Sequence, residues 1–439
     1  MKRIIIFMMV AAAMVAVSCE KTPSNPPVEV QISLMLDGEI YAEDGITVAL
    51  ASQGNSASYE AVTTAGIAKF TVIPGLYNAT ASFRTTEGTT NTVYNGTAAI
   101  TVVSGGENAF ELNLSTSQTN PLIIKELYTG GCQKNDESGY YRHDSYVILY
   151  NNSDAEIDIS NVAFAFATPA NSNATNKYIV DGELTYASQG WIPAGWDIWW
   201  FDSQVTLAPY SQIVVAIDGA INHTETYTNS VDLSDGSYYA MYDPEAFGEK
   251  YMQARYPNPS DAIPSSHYLQ TYLYGMGNAW PISDTSPAFY ILEYADIEAY
   301  SMDDANYDRT ENAKLPVVKV KNEWVRDAVE VFTAGKEADN QKRFPANIDA
   351  GYIYYTTNYG YTIYRNVDKE ATEALAENEG KLVYNYTGGT DEVDATYGNT
   401  DPSGIDAEAS IANGAHIIYK DTNNSSADFH QRRVASLKK

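Results

Sequence analysis

Val28-Glu-Val-Gln-Ile-Ser-Leu-Met-Leu36, Ile46-Thr-Val-Ala-Leu-Ala-Ser52 and Ile67-Ala-Lys-Phe-Thr-Val-Ile-Pro-Gly75 are the stretches that decide the fold class. In each, apolar residues alternate with polar or small ones, the period of a strand with one face buried. Leu76–Arg84 (LYNATASFR), Thr97–Val103 (TAAITVV) and Ala109–Ser115 (AFELNLS) continue the pattern, with Gly and Asn between the runs. Short strands at this spacing predict a small β-sandwich from Val28 to about Thr116.

Composition extends the all-β reading to the rest of the chain. There are 35 tyrosines, with frequent Thr, Asn and Gly. Aromatic and β-branched side chains suit a pleated surface, and Asn and Gly make turns. The 56 Asp and Glu outnumber the 27 Lys and Arg, giving a net charge of −29. Such a field repels phosphate backbones, so nucleic-acid binding is disfavoured; it would favour cationic ligands or metal ions, but its plainer reading is a charge that keeps an exposed protein soluble. The two cysteines, Cys19 and Cys132, support no disulfide framework. Cys132, after Gly130 and Gly131, is expected to be a small buried filler.

Ahead of the first strands stand two cations, Lys2 and Arg3, an apolar run from Ile4 to Val17, then Ser18 and Cys19. The run falls short of the roughly 20 residues that span a bilayer. Residues 1–18 are therefore expected to be a cleaved signal peptide. Residues 19–27, rich in Pro and polar side chains, are expected to be a tether. A polar link, Ser115–Asn120, should follow the first sandwich and lead into a second β unit over residues 121–439. Lys369–Glu379 is expected to form an exposed helix inside that unit.

Three resemblances sharpen this reading. The segment ending at Ser18-Cys19 resembles bacterial lipoproteins, which implies acyl chains on Cys19 and attachment to the outer membrane. Gly66–Phe70 and Ile73-Pro-Gly-Leu-Tyr77 resemble the prealbumin-like or carboxypeptidase-regulatory-like modules, which implies a structural role. Ile124-Lys-Glu-Leu-Tyr128, Val147-Ile-Leu-Tyr-Asn151, Ile157-Asp-Ile-Ser160, Asp327–Phe332 and Asp421–Phe429 resemble, in order, the strands of a lamin-tail domain. A sandwich of that kind takes about 100 residues. The surplus falls in 168–202, 219–280, 300–316 and 368–414, so the fold class is all-β: two β-sandwich (Ig-like) modules, the second lamin-tail-like with long insertions. The whole layout resembles an uncharacterised group of Bacteroidetes surface lipoproteins found beside TonB-dependent outer-membrane receptors.

Motifs that carry chemistry are missing from the sequence. There is no Gly-x-Ser-x-Gly elbow, phosphate loop or His-Glu-x-x-His, and the five histidines lack metal-ligand spacing. No catalytic residue, metal or cofactor is expected. The acidic run Asp296–Glu311 could offer oxygen ligands to calcium, but its spacing fits a solvated face better. The densest aromatic stretch, Gly190–Phe201, holds Trp191, Trp196, Trp199 and Trp200. They either fill a core or form an exposed platform for a ligand or partner. Pro193, Gly195 and Asp197 interrupt the strand period, which predicts a projecting loop with Trp191 or Trp196 accessible. Tyr352–Tyr364 alternates like a strand and adds Tyr354 and Tyr359 as candidate contacts.

The expected function is a non-catalytic, lipid-anchored surface protein that binds a ligand or partner for a TonB-dependent transporter. A hydrolase acting on glycans or peptides through paired carboxylates, and a structural role in adhesion or the envelope, are the alternatives.

Overall fold

The computed structural model describes residues 26–438 except 55–56, 88–89, 254–255, 276–281 and 391–398. The expected signal peptide, Cys19 and most of the expected tether lie outside the described residues. The alternating runs at the start form the strands expected of them. Val28–Leu36 pairs antiparallel with Ile67–Val72 and parallel with Ala109–Asn113. A second sheet runs in the order Ser58–Val62, Thr47–Ser52, Gly75–Glu87, Thr90–Val102, Ser115–Gln118. Alternation turns Val30, Ile32 and Leu34 toward Val48, Leu50, Ala79 and Ile100, and these close the core between the two sheets. The polar stretch read as a link begins as a strand, because Ser115–Gln118 pairs with Thr92–Asn95.

Beyond Pro121 the chain builds one 12-stranded sheet. Its order begins at Ile353–Tyr355, Val325–Thr333, Ala288–Glu293, Val162–Phe166 and Asp197–Trp200. It continues through Tyr268–Leu273, Tyr239–Met241, Gln212–Ala216, Tyr146–Asn151, Leu122–Tyr128, Thr362–Arg365 and Phe429–Arg432. The sheet curls until its two ends meet, so its inner faces pack on each other as two layers of a sandwich do. Ile124, Val147, Phe164, Trp199, Val215, Phe289, Val329 and Ile363 fill the enclosed space.

Three further apolar clusters lie on the outer faces, where the inserted segments cover the sheet. Leu122–Tyr128, Tyr146–Asn151 and Val162–Phe166 are consequently buried on both faces. This is why they read as continuous apolar runs rather than alternating ones.

Ion pairs without solvent staple the curl. Arg365 pairs with Asp327 from the other end of the sheet and donates to Ile124 O at 2.7 Å. The Asp327 carboxylate also accepts from the Ile124 N–H at 2.6 Å. A second fully buried pair joins Arg343 to Glu330 at 2.7 Å. Buried charges of this kind hold only with partners on every side, and here backbone carbonyls and amides supply them.

The two β bodies touch along the segment 421–428. Asn95 Nδ2 donates to Thr422 O at 2.6 Å and Asn423 Nδ2 to Ser117 Oγ at 2.7 Å, while Arg84 pairs with Asp368 at 3.1 Å. Asp368 also caps the helix Lys369–Ala374 by accepting from Ala371 N, and a 3₁₀ turn, Ala376–Asn378, follows it.

Candidate functional site

The tryptophans expected to form a platform are placed inside. Trp191, Trp199 and Trp200 are 8%, 2% and 8% exposed, and Trp196 is half-buried against Phe166. The interrupted period marks a sharp change of layer, not a projecting loop. Trp191–Ala194 pairs with Val317–Lys321 in a small outer sheet, whereas Asp197–Trp200 belongs to the large sheet. Between them Gly195 lies where a Cβ would run into the Phe166 ring, and Trp196 takes a positive φ of 25°. In the large sheet, alternation sends Trp199 into the enclosed core and Trp200 into the outer one. With both faces covered, Trp191, Trp199 and Trp200 find an interior, and Trp196 keeps part of its surface.

Of the candidate tyrosines, Tyr359 is 63% exposed and Tyr354 half-buried. Tyr359 stands at one end of the curled sheet, beside its most chemically varied cleft. The strand Leu122–Tyr128 leads there into Gly130 and Gly131, whose φ values are +84° and +105°. A Cβ on Gly131 would sit 3.2 Å from Asn358 N, so only glycine fits both the turn and the close approach. Asp144 ties the loops together: its carboxylate accepts from Tyr128 Oη (3.1 Å), Gly131 N (3.2 Å) and Ser230 Oγ (2.5 Å). Burial pushes the Asp144 carboxyl above the usual range, and those three donors pull it back.

Above this floor lies a cleft of about 630 Å³ lined by Tyr140, Tyr141, Arg142, His143, Asp218 and Tyr227 among others. Tyr141 and Tyr227 stack at 4.4 Å between ring centres, and His143 meets Tyr141 edge-on at 5.7 Å. Arg142 pairs with Asp284 at 3.0 Å and donates to Asn358 Oδ1 at 2.9 Å. A neighbouring recess, lined by Cys132, Tyr140, Asn358, Tyr359 and Lys438, extends the cleft toward Tyr359.

His223 and Cys132 are held inside the fold here. His223 Nε2 lies 2.6 Å from Gly219 O, so that nitrogen carries the proton and Nδ1 accepts from Tyr141 Oη at 2.8 Å. Burial lowers the His223 pKa to about 4, which keeps the ring neutral. Cys132 is 1% exposed, and burial pushes its thiol up to about 12. Such a thiol holds its proton and is a poor nucleophile. Among the described residues, no group of three His, Cys, Asp or Glu is placed to hold a metal ion. In the acidic run, Asp308 accepts from Tyr178 Oη at 2.7 Å and Asp304 pairs with Arg309.

Sequence reading missed Tyr141, Asp144, His223 and Tyr227. Tyr141 and His223 are 82 residues apart, and only strand order brings them together. The signal that could have marked the place was Gly130-Gly131 at the end of an apolar strand.

Tyr354 lies in a different depression, a groove between the first body and the edge of the large sheet. The stretch Tyr352–Tyr364 is two strands, Ile353–Tyr355 and Thr362–Arg365, with a turn between them that projects Tyr359.

Comparison with known proteins agrees with this architecture. A crystal structure of a DUF4876 family protein from Bacteroides thetaiotaomicron VPI-5482 is 21% identical and superposes with a TM-score of 0.52, covering 92% of this chain and 95% of that one. A DUF1812 protein from the same organism and a candidate adhesin from Bacteroides ovatus ATCC 8483 are each 12% identical with a TM-score of 0.17. They cover 30% and 35% of this chain and 58% of each of those chains. No curated protein matches the chain. Residues 208–392 match the family described as "Protein of unknown function (DUF4876)", and the chain as a whole has the fold of the Bacteroides protein of that family.

Proposed function

We propose that the chain is a non-catalytic surface lipoprotein, anchored through Cys19 to the outer membrane, that captures a ligand or partner for a TonB-dependent receptor. The cleft beside Tyr359 is its contact surface. One observation carries the reading: three acid–base groups beneath and beside the cleft, whose wall also holds His143, Asp218 and Asp284, are already engaged. His223 uses both ring nitrogens, Asp144 accepts three internal hydrogen bonds, and Cys132 is buried and protonated. A catalytic site needs a base or nucleophile able to reach a substrate. What this cleft offers instead is stacked aromatic surface and an exposed tyrosine on a rigid floor, the properties of a recognition surface.

Cys19→Ala is expected to move the protein from the membrane fraction to the soluble one, and its retention in membranes would refute the anchor. Tyr359→Ala, on an exposed side chain, should change stability by less than about 0.5 kcal/mol. In affinity capture from solubilised native outer membranes it should weaken receptor recovery about tenfold or more. Undiminished recovery with Tyr359→Ala would remove the cleft from the proposal.

A further inference from the structure

The groove at Tyr354 shares no lining residue with the cleft at Tyr359. We propose that it is a separate binding site for a neutral oligosaccharide chain.

Its two walls differ in a way the sequence dictates. One wall is the outer face of the first body's second sheet. Alternation commits Val48, Leu50, Ala79 and Ala81 to the core, which leaves Ala49, Asn78, Thr80 and Ser82 on the opposite face, joined by Thr97 and Ala99. These side chains are short, so the face stays flat and does not fill the space before it. The groove measures about 830 Å³.

The other wall is aromatic and fixed. Tyr352 stacks on Phe332 at 4.0 Å with planes 10° apart, and Tyr354 meets Tyr352 at 5.4 Å. The backbone under them is pinned from both sides: Tyr352 N–H donates to Ser426 Oγ at 3.1 Å, and Ser426 Oγ–H donates to Tyr352 O at 2.8 Å. Gly351 leaves no room for a Cβ against Asn424 Oδ1. Asn424 and Ser426 belong to the segment that joins the bodies, so one loop sets both the junction and the groove's shape.

The chemistry of the lining selects the occupant. Amides and hydroxyls of Asn78, Thr80, Ser82, Thr97 and Asn399 line it, and Ser82 Oγ is shielded from solvent without a hydrogen-bond partner among the described residues. An apolar ligand would take water from these hydroxyls without replacing its hydrogen bonds, although Asn78 and Asn399 keep internal partners for their carbonyl oxygens. Glu60 is the one carboxylate among the lining residues, in a chain of net charge −29, so polyanions are repelled. A peptide adding to the strand edge would need free backbone donors, yet Tyr352 N–H and Thr356 N–H are spent on Ser426 Oγ and Gln431 Oε1. A sugar chain presents C–H faces for tyrosine and a dense set of hydroxyls for amides, and carries no charge.

Native affinity electrophoresis of the full mature chain in detergent tests this, with galactomannan, xyloglucan, dextran or polygalacturonate cast in the gel. Retardation is expected in at least one neutral gel and not in polygalacturonate. Tyr354→Ala should weaken it at least about tenfold, as loss of a stacking aromatic does. Thr80→Arg, which fills the groove from a solvent-facing strand position and keeps the fold, should weaken it as much. Tyr359→Ala should leave it unchanged, which separates this site from the receptor contact. Absence of retardation in all three neutral gels, equal retardation of wild type and Thr80→Arg, or preference for polygalacturonate would each overturn the proposal.

Discussion

Replacing Arg365 with methionine is expected to destabilise the protein by about 3–5 kcal/mol, the usual cost of removing one partner from a buried ionic cluster. The arginine is fully buried. It faces Asp327, Asp421 and Asp428, and its guanidinium lies over the Phe429 ring at 4.3 Å. Methionine conserves much of the volume, so the loss is electrostatic: three carboxylates remain in a low-dielectric interior with no cation among them. The Ile124 and Lys420 carbonyls also lose their donor. Because Arg365 and Asp327 come from opposite ends of the large sheet, the substitution opens the curl at its seam. Urea denaturation measures the change as a lower midpoint. Adding Asp327→Asn to Arg365→Met should recover part of the loss, since the carboxylate that Arg365 pairs with most closely is gone. A midpoint within about 0.5 kcal/mol of wild type would show that the cluster does not hold the seam.

That seam was not legible beforehand. Asp327–Phe332 reads as a strand through its resemblance to a lamin-tail strand and Tyr352–Tyr364 through its alternation, and strands form at Val325–Thr333, Ile353–Tyr355 and Thr362–Arg365. Nothing local reports that the arginine in the last will meet an aspartate in the first. The first body was legible nearly strand by strand, since each of its strands has one wet face and alternates. The tryptophan run misled for the converse reason. Pro193, Gly195 and Asp197 do break the strand period, but the break lets the chain step from the outer sheet to the large sheet, and insertions far away in sequence cover what would otherwise be exposed. Tyr354 and Tyr359 were singled out through alternation, which is local. Their cleft and groove were not, because Tyr141 with His223, and Tyr354 with Thr80, meet only once the bodies are assembled.

Stability should also fall as pH rises from about 6.5 to 8, the reverse of the behaviour of a protein held by ordinary surface carboxylates. Burial pushes the Asp421 carboxyl up to about 8 from an ordinary 3.8, with Arg365 opposing the shift in part. Burial likewise lifts Asp197 well above the usual range, offset only in part by the Trp199 indole. In the unfolded chain both would be ionised throughout this window, so the folded state binds the extra protons. Its advantage is complete below about pH 4 and is lost as pH climbs through the folded values, at about 1.4 kcal/mol per pH unit for each proton. Two histidines act with the opposite sign. Burial lowers His223 to about 4 and His430 to about 3, so each takes up a proton more readily when unfolded, and stability they confer above about pH 6.5 is lost on acidification. Below pH 6.5 the two effects oppose each other. Above about pH 7.5 the histidines are neutral in both states and the aspartates act alone, while between about pH 6.5 and 7.5 the protonation remaining on the unfolded histidines offsets only part of the decline. Urea midpoints at pH 6.5, 7.2 and 8.0 should therefore decline in order. Asp421→Asn should flatten the decline by about 1.4 kcal/mol per unit, because an amide binds no proton in either state. Midpoints that hold level or rise over this range would mean that Asp421 is ionised in the folded protein, and that Arg365 balances all three carboxylates as anions.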